Sequence, residues 1–167
     1  MNRSVVLVSL SLAVSLFIYL FYRTERTLVN EMAIRLITLD EYRSLKAAIV
    51  HFLPLHDIII YSLPEGLWVF CITIASLPYY VNIGTRRFWC VFVPLIFSVS
   101  LELLQLMGIT NGRFDLIDIA AVIIFWVAGI LTAEQVRPQI NLFHRPDFKT
   151  VMCVTSYCIV YLAHVFK

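Results

Sequence analysis

Residues 4–22 read SVVLVSLSLAVSLFIYLFY, without a charged side chain, and are bracketed by Arg3 and Arg23. As an α-helix this run is about 28 Å long, close to the thickness of a bilayer's hydrocarbon core. A secretory signal has a similar outline. Its apolar part is shorter, however, and small residues mark its cleavage site, whereas FYRTER at 21–26 is bulky and charged. The run reads as a retained membrane-spanning helix, and the rest of the chain is read from it.

The whole composition points the same way. Of the 167 residues, 60% are apolar and 14% charged, with a mean hydropathy of +0.85. A water-soluble domain carries roughly 25% charged residues, and one this small has too much surface to hide so many apolar side chains. Thirteen Lys/Arg against 11 Asp/Glu leave a formal charge of +2, scattered between apolar runs. Nucleic-acid binding needs a basic patch or stripe, and none is present. Cys71, Cys90, Cys153 and Cys158 all lie in apolar runs, without CxxC or zinc spacing. Cys153 and Cys158 stand about 140° apart on a helix, so the cysteines read as packing residues.

The expected fold class is all-α: one polytopic transmembrane helical bundle of about five spans. Spans are expected near 4–22, 65–81, 88–106, 116–132 and 150–166. Between the first two lies an amphipathic region, 23–63, holding Glu25, Arg26, Glu31, Arg35, Asp40, Glu41, Arg43 and Lys46. Leu28, Met32, Leu36, Leu45 and Ile49 are interleaved with them at helical spacing. Thr38 with Glu41 three residues on predicts a capping box for a helix from about residue 39. The stretch 47–60 is broken by His51, Pro54, His56 and Asp57; it reads as interfacial or re-entrant. Pro64 is placed to start the second span. Trp68 at one end of that span and Tyr79–Tyr80 at the other read as interface anchors. Asn82, Gly84, Arg86 and Arg87 form the following turn.

Basic loop residues give the N-terminus-inside orientation only a slight advantage. In either orientation the first and third loops of an alternating chain share a side. The His51/His56/Asp57 region, Glu65 and the 102–118 region therefore open to one face.

The chemistry concentrates there. Glu102 and Gln105 are i and i+3 on one helix face, and a carboxylate in hydrocarbon normally faces protein or a polar cavity. Glu102 is the candidate base, with Asp118 as a second catalytic candidate. The alternative for Glu102 is a buried tie to Arg113. Asp115, at a helix start, also has the position of a cap for exposed N–H groups. Gln105, Arg113, Asp115, His51 and His56 are the candidate ligand-binding residues, with Arg113 able to clamp an anionic group bidentately. The two histidines are five apart and do not share a helix face, and H-E-x-x-H is absent. No metal site or cofactor is expected. Ser98 and Ser100 precede Glu102 without any sign of an oxyanion hole.

The Glu102-Leu-Leu-Gln105 sequence at the end of one span, then Arg113-Phe-Asp115-Leu-Ile-Asp118 opening the next, resembles the VanZ-like family of small bacterial membrane proteins. The likeness covers roughly residues 64–131. It departs from the family pattern at Val122 and Phe125, where Asn and Gly are usual; Gly129 matches a later family Gly. The resemblance implies a multi-pass protein of the bacterial cytoplasmic membrane that serves the cell envelope. Its substrate would be an amphiphilic anionic molecule, lipid-linked or free.

Two other functions fit the sequence. One is a non-catalytic anchor, sensor or assembly subunit, homo-oligomeric or bound to a protein partner. Ala120, Ala121, Ala128 and Gly129 would permit the close helix packing this needs. The other is a channel or transporter assembled as a ring.

Overall fold

The computed structural model describes residues 3–23, 28–110, 114–132 and 140–142. The span expected at 150–166 lies outside them, as do Arg113, Cys153 and Cys158.

Six helices and a small sheet make up the described chain. Helix α1 (Arg3–Tyr22) matches the first apolar run, and α2 (Leu28–Leu36) and α3 (Leu39–Phe52) lie in the amphipathic region. Thr38 stands at the N-cap of α3, where its hydroxyl donates to the Glu41 carboxylate at 3.0 Å. The pair meets side chain to side chain, and Thr38 makes no side-chain bond to the backbone. Tyr42 is buried and joins three elements: its hydroxyl lies within hydrogen-bonding reach of the Leu20 carbonyl and 3.1 Å from Asn30 Oδ1.

Helix α4 (Asp57–Ser76) begins eight residues before the expected start of the second span. His56 is its N-cap, with Nδ1 accepting from the Ile58 amide at 3.3 Å. Pro64 therefore lies inside the helix and is buried. A proline there lacks the N–H that would bond to the carbonyl of Ile60, so the helix is retained by its packing.

The turn expected at 82–87 is a hairpin. Strands β1 (Tyr79–Ile83) and β2 (Arg86–Trp89) pair antiparallel across Gly84–Thr85. Gly84 has φ +61° and, among the described residues, no non-glycine residue has positive φ, the glycine-first order of a type II′ turn. A third strand, β3 (Ile140–Asn141), pairs parallel with β1. The fold is therefore mostly helical, and the all-α expectation is corrected by this three-stranded sheet. A near-continuous apolar run does not reveal its period, and here the ends of two expected spans form the strands. Tyr79, expected as an interface anchor, is buried against Cys90.

Helix α5 (Phe92–Leu106) is shorter than the expected 88–106 span, while α6 (Leu116–Thr132) has the expected bounds. Helix α4 is central, packing most extensively on α6 and also on α1 and α5. Gly66 and Gly129 make the α4–α6 approach close. A Cβ on Gly66 would lie 2.3 Å from the Phe125 ring, and one on Gly129 would lie 2.9 Å from Thr73 Cγ2. Trp126 ties α6 to the start of α5 by donating Nε1–H to the Val91 carbonyl at 2.8 Å.

Helices α1 and α4 are long and apolar enough to cross a membrane; α5 and α6 are shorter apolar helices. Leu10, Leu12 and Leu16 on α1 and Ile124 and Leu131 on α6 are all exposed.

A candidate carboxylate site

Each of α4, α5 and α6 carries one acidic side chain beyond its first residues or within an apolar run. Glu65 is the sole charged residue between Asp57 and Arg86, Glu102 between Arg87 and Arg113, and Asp118 within α6. Their carboxylates converge: one oxygen from each lies within 4.8 Å of the other two. Glu102 is 3% exposed and the other two are half-buried.

The local fold accounts for the convergence. The hairpin reverses the chain between α4 and α5, bringing the last turn of α5 back towards the N-terminal half of α4. A short connection then starts α6 beside it. Pro94, Ser98 and Glu102 are the buried residues of α5, a single stripe at i, i+4 and i+8. Gly66, next to Glu65, admits the Phe125 ring of α6. Asp115 closes the end: its amide donates to Glu102 Oε2 at 3.2 Å, and its Oδ1 accepts from the Ile117 amide at 2.8 Å. The latter bond is a helix cap, so Asp115 acts through backbone groups and its exposed side chain is turned to that task.

Three carboxylates this close are compatible with one another only if protons or a cation reduce their mutual repulsion. At 4.8 Å and an effective dielectric of about 20, one pair of unit charges repels by roughly 3.5 kcal/mol. Arg23 supplies positive charge near the rim. Its guanidinium lies over the rings of Tyr19 (5.2 Å) and Tyr61 (5.3 Å) and interacts electrostatically with Glu65. Lys46 fixes the backbone there, donating to the Arg23 carbonyl at 2.8 Å.

Of the residues expected from sequence, Glu102 and Asp118 are brought together. Gln105 is half-buried in the last turn of α5, and Asp115 touches Glu102 by its backbone. His51 is exposed in the last turn of α3 and His56 is the exposed cap of α4; neither belongs to the converging group. Arg113, and with it the possible tie to Glu102, lies outside the described residues. Glu65 and Arg23 were missed as site residues. Glu65's signal is its isolation in an apolar helix, which the reading of Pro64 as the start of the span obscures.

Compared with protein-family models, curated proteins and solved structures, the chain matches none. The site thus rests on its own geometry.

Proposed function

We propose that the chain is an integral membrane protein that binds an amphiphilic, lipid-linked anionic molecule at the Glu65/Glu102/Asp118 cluster. The observation that carries this is the meeting of three lone carboxylates from three apolar helices. Acidic groups in such surroundings are expensive and normally serve a site or pathway. The exposed leucines and isoleucines of α1 and α6 support the membrane setting, since hydrocarbon solvates them at no cost.

In this reading the acyl or prenyl part of the ligand lies along the apolar helix faces, and its head group reaches the cluster. Arg23, pre-oriented by two tyrosines, holds the anionic head group. Glu102 and Asp118 are the groups placed to exchange a proton with it. The resemblance of residues 102–118 to VanZ-like proteins supports a ligand of the bacterial cell envelope.

The test is lipid retention. The full chain is reconstituted in phosphatidylcholine nanodiscs doped with phosphatidic acid, and retained lipid is counted by native mass spectrometry. The wild type is expected to keep phosphatidic acid preferentially, and R23Q to lose the preference. Equal retention by folded R23Q and wild type would sink the proposal.

A further inference from the structure

Besides the carboxylates, the same region contains buried polar atoms without partners. Among the described residues, Trp68 Nε1, Ser98 Oγ and Asp118 Oδ1 are three of five buried side-chain polar atoms with no hydrogen-bond partner. Trp68 is three residues from Glu65 on α4, and Ser98 is one turn before Glu102 on the buried stripe of α5. Asp118 is a member of the cluster itself. Ser98 is 0% exposed. Helical side chains lean toward the N-terminus, so Glu102 leans over Ser98. Buried polar atoms left unpaired usually mark water or an ion. Here one comes from each of the three helices that supply a carboxylate, on the acidic residue itself or within one helical turn of it along the chain.

We propose that Glu65, Glu102 and Asp118 bind a hard divalent cation, with Ser98 bonded to its hydration shell and an anionic head group completing the coordination. Carboxylate oxygens are the ligands such ions prefer. One oxygen from each carboxylate lies within 4.8 Å of the others, so a single ion reaches all three with small side-chain adjustments. The cation also resolves a difficulty in the binding reading on which this inference rests. Three carboxylates alone repel an anion, whereas a bound divalent ion presents it with a positive centre.

The test uses the full chain in nanodiscs of phosphatidylcholine alone, stripped with EDTA. Tb³⁺, a luminescent stand-in for Ca²⁺, is titrated in with excitation of tryptophan, since Trp68 adjoins the site. We expect saturable sensitised emission that Ca²⁺ displaces. Affinity should fall at least roughly tenfold in E65Q and D118N, and less in S98A, while E41Q on exposed α3 should match the wild type. Thermal melts serve as a second readout: Ca²⁺ should raise the wild-type midpoint and leave D118N unchanged. If E65Q does not fold, D118N carries the test. Unchanged Tb³⁺ affinity in folded D118N would overturn the proposal. Phosphatidic acid retention that persists in EDTA yet is lost in R23Q would overturn the cation site alone and leave the lipid-binding reading standing. Cation binding without lipid retention would do the reverse.

Discussion

Replacing Gly66 by alanine tests the α4–α6 contact beside the carboxylates, because two opposing effects have different origins. Alanine in a helix interior is favoured over glycine by about 0.5–1 kcal/mol through backbone entropy. Against this, the new Cβ would lie 2.3 Å, 2.8 Å and 3.0 Å from three atoms of the Phe125 ring. The ring must retreat by about 1 Å, and overpacking of this kind costs about 1–3 kcal/mol. The clash wins, leaving a net loss of about 1–2 kcal/mol. For a chain of this length that lowers the melting midpoint by roughly 2–8 °C. The assay is a tryptophan-fluorescence melt in lipid nanodiscs, with the substitution made in the wild type and in F125A. In F125A the ring is gone and only the propensity gain remains, so G66A should become neutral or stabilising. A midpoint that rises on G66A in the wild type, or shifts equally in both backgrounds, would refute the reasoning.

Three further outcomes follow from other contacts. G129A should also destabilise, since its Cβ meets Thr73 Cγ2 at 2.9 Å and the Phe70 carbonyl at 3.3 Å; T73S removes the nearer atom and should recover part of the loss in the same melts. Y42F should cost about 1–3 kcal/mol by removing a buried hydroxyl from Leu20 and Asn30, read as increased hydrogen exchange in α2 and α3. W126F should cost about 1 kcal/mol through the lost bond to the Val91 carbonyl, with protection falling first at the start of α5.

How far the fold was legible depended on how sharply each element was marked. Helices α1 and α6 were readable to within a residue or two because charged or acidic residues bound uninterrupted apolar runs. Thr38 marked the start of α3 by its distance from Glu41. Around Pro64 the signals conflicted: proline is favoured in a first helical turn, and His56, which caps α4, is an uncommon cap. The strands of the hairpin were obscured because Tyr79–Val81 and Phe88–Trp89 continue their neighbours' apolar runs, so Asn82, Gly84, Arg86 and Arg87 marked only a turn. At the site, Glu102 and Asp118 stood out as acids in apolar helices. Their meeting with Glu65 is a tertiary event, set by the reversal at the hairpin and by Gly66, and no spacing along the chain encodes it.

The parallel pairing of Ile140 with Tyr79 and of Asn141 with Tyr80 has a consequence for topology. It fastens the segment after α6 to the segment after α4, so in the proposed membrane setting both helices would deliver the chain to the same side. A reporter inserted at Gly84–Thr85 and another fused directly after Leu142 should therefore give the same accessibility to an impermeant label. One placed at Ile109–Thr110 should give the opposite answer.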